Sequence, residues 1–243
     1  MLHADRPLPV TTSQALAQLV AVPLQGTSVS SLLQAAADLI KQLLPGDVEA
    51  SLTLLGRHRA TTAAFTGPLA ADLDAVQYST GQGPCLHAAT SGELTEITDT
   101  RTDSRWAGFT RHAAGRGTLS SLSLPLAGAS NVTGSLNIYA PQAGAFDENA
   151  RSTGTRLALH AATALGNVRH YQAVQARIAS LQEALDSREV IDIAAGMIME
   201  RQDVAATDAH RILTEVADQT GATVTAIAVR LVTTGQLPEL DPH

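Results

Sequence analysis

Apolar positions along the chain follow two rhythms, and the change from one to the other falls at Phe146-Asp147-Glu148. Before it, helical and strand-like runs are mixed. TSQALAQLVAV and TSVSSLLQAAADLIKQLL both show helical spacing. In the second, Leu32, Leu33, Ala36, Ile40 and Leu43 share one face, and Pro45-Gly46 stops it. Alternation then predicts two neighbouring antiparallel strands, in VEASLTLLG (48–56) and RATTAAFTG (59–67). A polar helical stretch follows, then the turn GQGPC, a short helix, the strand ELTEIT and a further helix within DTRTDSRWAGFTRHAAGRG. TLSSLSLPLAG and VTGSLNIYAP complete the strands, with a loop from Gly128 to Asn131 between them. Strands interspersed with helices in this order predict an α+β fold, an antiparallel sheet flanked by helices.

After Asp147, a candidate helix cap, no proline interrupts the next 90 residues. Tyr171, Val174, Ile178, Leu181 and Leu185 recur in steps of 3, 4, 3 and 4. That is the seam of a short coiled coil. It fits either a pair of chains or a helix lying on its own sheet. Two shorter helices follow. One has Ala209, Ile212, Leu213, Val216 and Ala217 on a face, Thr207 as a candidate cap and Gly221 as its stop. The other is capped by Thr223 and carries the stripe Val224, Ile227, Ala228, Leu231. Within the long helix, Ala194-Ala195-Gly196 places glycine where it costs about 1 kcal/mol relative to alanine. Either a neighbouring helix packs closely there, or another molecule approaches the backbone.

Composition narrows the functional classes. The 243 residues suffice for one large or two modest domains, and 44% hydrophobic content supports a packed interior. The N-terminal ten residues read as a loose leader without signal-peptide character, and no run of 18 apolar residues suggests a membrane span. A single cysteine, Cys85, excludes an internal disulfide and favours a cytoplasmic setting. The formal charge of −7 argues against indiscriminate nucleic-acid binding. It is concentrated late: from residue 177 onward there are five arginines and eleven acidic residues.

Two sets of landmarks resemble known families. Gln77-Tyr78, Gly81-x-Gly83-Pro84-Cys85, Asp99, Arg105-Trp106, Leu124-Pro125-Leu126, Gly134-x-Leu136-Asn137-x-Tyr139 and Phe146-Asp147 resemble the GAF domains of actinobacterial regulators. REVIDIAAGMIMER (188–201) and the helices after it resemble the ANTAR domain, the RNA-binding module of transcription antitermination regulators. The resemblance implies a leader and first helix over residues 1–25, a GAF sensor over 26–168, a helical connector over 169–187, a three-helix ANTAR module over 188–235 and a tail over 236–243. It implies an RNA-facing set of Arg188, Ala194, Ala195, Gly196, Met199, Arg201 and Arg211. It also implies a sensor pocket bordered by Tyr78, Cys85, Asp99, Arg105, Trp106 and Tyr139, and homodimers, paired through the Tyr171–Leu185 seam, that engage paired RNA stem-loops. Many ANTAR domains carry lysine where this chain has Ala195, which removes one phosphate contact.

No cofactor is expected, and the signal is a small molecule or a partner whose identity the sequence does not give. Cys85 has two readings: a thiol activated at a helix start as a redox sensor, or a small buried apolar group. His87, His112, His160 and His170 match no compact metal-ligand spacing. Trp106 either lines the pocket or pins its loop to the sheet. No catalytic motif is found, so a regulator rather than an enzyme is expected. The acidic balance and Ala195 support a different class as well, a regulator whose ANTAR-like unit docks a protein instead of RNA.

Overall fold

Strands β1 (Glu49–Leu55), β2 (Ala60–Phe65), β3 (Thr95–Ile97), β4 (Ser120–Pro125) and β5 (Gly134–Ala140) pair antiparallel in the order β2-β1-β5-β4-β3. This computed structural model describes residues 12–56, 59–127 and 132–238. The leader of residues 1–10, the loop 128–131 and the end of the tail lie outside the described residues. The register sets Leu52 opposite Leu136 and Leu122 opposite Ile138. One face of the sheet is therefore apolar, and it is buried against helices α1 (Thr12–Val20), α2 (Val29–Leu43) and the first turns of α6 (Glu148–Gln202). Alternation then sends Ser51, Thr53, Ser121, Ser123, Ser135, Asn137 and Tyr139 to the other face.

That second face would be solvated in a simple α+β layer. Here all seven of those residues are buried, because α3 (Pro68–Thr80) lies on β1 and β2, α4 (Pro84–Ser91) lies on β4 and β5, and α5 (Ala107–Gly115) packs on α3. The turn GQGPC makes the α3–α4 corner. Gly81 closes α3 in the left-handed conformation, and Pro84 opens α4 at its first position. Gly83, at φ 155°, leaves room for the Gln77 side chain, which a Cβ there would strike.

The chain divides into two compact units, Met1–Tyr171 and Gln172–His243. Helix α6 contributes residues to both. Asp147 caps it, its carboxylate accepting from the Ala150 amide at 2.7 Å. In the second unit the last turns of α6 join α7 (Ala206–Thr220) and α8 (Val224–Thr234) around Ala194, Ala195, Ile198, Ala209, Leu213, Val216, Ala217, Ile227, Ala228 and Leu231. Half of these ten residues are alanine, so the helix backbones approach closely. Thr223 caps α8 as expected, with its hydroxyl 3.2 Å from the Ala226 amide. Thr207 does not cap α7: the helix starts two residues earlier, after Ala205, whose carbonyl takes the first bonds.

Candidate functional site

In the first unit the buried polar face converges on Asp74, a residue the sequence reading did not single out. Ala70, Leu73, Asp74 and Gln77 form the i, i+3, i+4, i+7 stripe by which α3 faces the sheet, so an acid occupies a core position. Its carboxylate accepts from Tyr139 Oη at 2.6 Å, Thr62 Oγ1 at 2.7 Å, Tyr78 Oη at 3.4 Å and Asn137 Nδ2 at 3.5 Å. Gln77 extends the network, donating to Tyr139 Oη at 3.2 Å and accepting from the Cys85 amide at 2.8 Å. No lysine, arginine or histidine is among these partners. Burial pushes the Asp74 carboxyl up from its ordinary value, partly offset by the hydrogen bonds from Tyr139 and Thr62. Burial, with Asp74 nearby, also raises Tyr78 and Tyr139.

Four polar atoms in this region, Thr118 Oγ1, Ser121 Oγ, Ser123 Oγ and Asn137 Oδ1, are buried without a hydrogen-bond partner among the described residues. Such groups are few in native proteins, since each costs about 1–3 kcal/mol. A cavity of about 130 Å³ opens beside Tyr139, walled by Asp47, Glu49, Leu69, Arg116 and Thr118 among others.

Of the pocket residues inferred from the sequence, Tyr78, Cys85 and Tyr139 belong to this cluster. Asp99, Arg105 and Trp106 do not. Asp99 pairs with Arg101 at 2.7 Å, which holds its carboxyl down at about 2. Arg105 pairs with Asp103 at 2.6 Å and donates to the Glu96 carbonyl. Both serve to fix the loop. Trp106 packs on the Phe109–Tyr139 cluster, with the His87 ring 5.5 Å away and the Arg105 guanidinium 5.3 Å from its centroid. It pins the loop. Cys85 is fully buried, and burial together with Asp74 pushes its thiol well above the ordinary value. The activated-thiol reading is therefore corrected: the helix start does not lower this pKa, because the sulfur has no access to water.

In the second unit the proposed RNA-facing set is not one surface. Ala194 and Ala195 are 0% and 3% exposed and belong to the three-helix core, so neither is an RNA contact. Gly196 and Met199 are exposed, and a Cβ built on Gly196 meets no heavy atom within 4 Å. Glycine is not needed here for packing. Arg188, two turns before it, lines an open groove with Leu185, Glu189, Asp192 and Ile193 and has no ion pair among the described residues. Arg201 points elsewhere, donating to the Gly235 carbonyl at the end of α8. Arg211 is engaged by Glu215 at 2.8 Å and Asp208 at 3.1 Å. Of the seam, Tyr171 is half-buried, and Val174, Ile178, Leu181 and Leu185 are 41%, 43%, 52% and 67% exposed.

Comparison with known proteins separates the two units in the same way. The family profile of the GAF domain matches residues 26–166, and that of the ANTAR domain matches residues 179–232. No curated protein matches the chain. Among solved structures, it is similar to free methionine-R-sulfoxide reductase from Neisseria meningitidis in complex with its substrate: 17% identity, 70% of this chain, 98% of that one, TM-score 0.52. The phycoerythrobilin-bound GAF domain from a cyanobacterial phytochrome gives 13%, 66%, 96% and 0.52. The GAF domain from a Coxiella burnetii phosphoenolpyruvate-protein phosphotransferase gives 19%, 67%, 94% and 0.51. At these identities the likeness shows the fold alone. Among the described residues no helix is long and apolar enough to cross a membrane.

Proposed function

The chain belongs to the GAF domain family and carries an ANTAR domain behind its GAF domain, and from this premise we propose that it couples a small-molecule signal to RNA binding. A GAF sensory domain followed by this RNA-binding antitermination module makes a signal-responsive regulator. In the proposed mechanism the Asp74 cluster receives the signal, α6 carries the change, and the Gly196 surface engages RNA stem-loops in the cytoplasm. The chain pairs with a second copy through Tyr171, Val174, Ile178, Leu181 and Leu185 and acts as a regulator, without catalysis. The signal is effective only if it binds the two states of the connector unequally.

The observation that carries the RNA reading is the open space over Gly196. A mid-helix glycine with no neighbour to accommodate has a cost and no internal explanation. Contact with an approaching phosphate or splayed base supplies one. A specific observation also favours a protein partner: Glu189, Asp192 and Glu200 are exposed on the same side of α6 as Gly196. A gel-shift titration against a two-stem-loop RNA at low and high salt, with Arg188→Ala alongside, separates the two. Salt-sensitive binding weakened in the variant supports RNA. No binding at low salt by a folded dimer supports the protein partner.

A further inference from the structure

We propose that the ligand of the Asp74 site is a small organic cation, a guanidinium or primary ammonium compound that enters through the cavity beside Tyr139. The inference rests on the sensor reading above and gives that site its ligand chemistry. The donors that reach Asp74 from Tyr139, Thr62, Tyr78 and Asn137 carry no charge. A buried carboxylate without a counter-cation is costly, and a ligand that brings the positive charge recovers that cost. A neutral ligand of the same shape does not.

The surrounding atoms suit the same ligand. Asn137 Oδ1 is an acceptor without a donor, and Ser121, Ser123 and Thr118 offer hydroxyl oxygens that nothing in the described residues engages. The register places Ser123 opposite Asn137, and Ser121 opposite Tyr139, so these groups adjoin the carboxylate's own partners. Guanidinium and ammonium groups are donors only, which matches a site rich in acceptors. The mouth has the right sign as well. Asp47 and Glu49 line it, and its one arginine, Arg116, is held by Asp72 at 2.9 Å. Tyr139 links mouth and carboxylate, since it lines the cavity and its hydroxyl lies on Asp74 Oδ1. An entering N–H donor takes the place of that hydroxyl, and the Tyr139 side chain shifts. That shift is the change the sensor passes on.

The test is calorimetric titration of the full chain with methylguanidinium and with putrescine, against N-methylurea and acetate as neutral and anionic counterparts. Concentrations reach about 10 mM, enough to fill a site with a Kd of about 1 mM. Saturable binding of a cation but of neither counterpart is expected. Asp74→Asn is expected to weaken it by about 10- to 100-fold, the loss of a charge-assisted hydrogen bond. Should that variant fold poorly, Ser123→Ala serves, because deleting an unpartnered hydroxyl leaves the free protein's melting temperature unchanged or higher while cation binding still weakens. Absence of saturable cation binding, or binding that both variants leave unchanged, overturns the proposal. Saturable binding of N-methylurea or acetate overturns the ligand class and leaves the sensor reading standing. If the cation binds as expected but RNA affinity does not respond, the ligand class stands and the coupling falls.

Discussion

Substituting Gly196 by alanine makes stability and RNA binding move in opposite directions. The position lies inside α6, its backbone is helical, and an added Cβ has nothing within 4 Å. With no steric cost, only the helix-propensity difference remains, and Gly196→Ala is expected to stabilise the second unit by about 0.8–1 kcal/mol. Amide exchange in α7 and α8, which share a core with this stretch of α6, reads that gain as a four- to fivefold slower global opening. Gly196→Gln adds comparable helix preference and a side chain that stands over the surface. If RNA approaches the backbone there, the alanine variant binds less tightly and the glutamine variant loses about tenfold or more, the worth of one hydrogen bond to a charged group. Gel shift under constant salt measures this. A destabilised alanine variant would refute the open-space argument. A more stable glutamine variant with undiminished RNA affinity would refute the assignment of Gly196 to the RNA surface.

Four further outcomes follow from the same geometry. Arg201→Ala is expected to cost the second unit about 1 kcal/mol by releasing the Gly235 carbonyl, whereas Arg188→Ala leaves its exchange rates unchanged, so a loss of RNA binding in the first variant alone reports stability. With Arg188 as the unpaired arginine of the RNA face, a dimer neutralises about two phosphates, and log Kd against log salt is expected to have a slope of about 1.4–1.8; a slope several times larger would show that Arg201 or Arg211 leaves its present partners on binding. Cys85 is expected to resist iodoacetamide in the native protein and to react once denaturant unfolds it, because burial keeps the thiol protonated and out of reach; rapid native alkylation would reinstate a redox role. Asp74 binds its proton more tightly folded than unfolded, so its contribution to stability is full below about pH 4 and is lost as pH rises through the raised folded value. Denaturation of wild type and Asp74→Asn across this range is expected to show a downward slope with pH that the variant lacks.

β4 and β5 were legible because alternation survives in Ser121-Leu122-Ser123-Leu124 and Ser135-Leu136-Asn137-Ile138 even where both faces are covered, and β1 and β2 because Gly56 and Gly67 bound short β-tolerant runs. That double covering was not legible. Serine and threonine at Ser51, Thr53, Ser121, Ser123 and Ser135 read as a solvated face by local pattern, and only the placement of α3 and α4 buries them. Asp74 was missed for a related reason. Its stripe with Ala70, Leu73 and Gln77 is present in the sequence, but an aspartate in a helix usually marks the exposed side, and no partner within the helix suggests otherwise. At the ANTAR module the motif led to Gly196 and Met199 on the surface, yet it grouped them with Ala194 and Ala195, which lie in the core. Neighbouring residues in a motif point 100° apart on a helix, so a run of small residues serves packing on one side and access on the other.

Which irregularities are functional can be decided by asking which of them the fold itself explains. Gly83 is explained by Gln77, the buried Cys85 by the α4 corner, Ala194-Ala195 by the approach of α7 and α8, and Arg201 by the end of α8. Each is accounted for by a contact within its own unit. Gly196 has no such contact, and the hydrogen bonds to Asp74 come from uncharged donors. One leaves a helix surface open at a cost in helix preference, and the other holds an acid in a core with no cation among its partners, while four buried polar atoms of the same unit lack partners among the described residues. In the proposed function, an outside molecule supplies at both places what the fold does not. The two lie in different units, one in the sensor and one in the output module, which is the distribution a signal-responsive regulator requires.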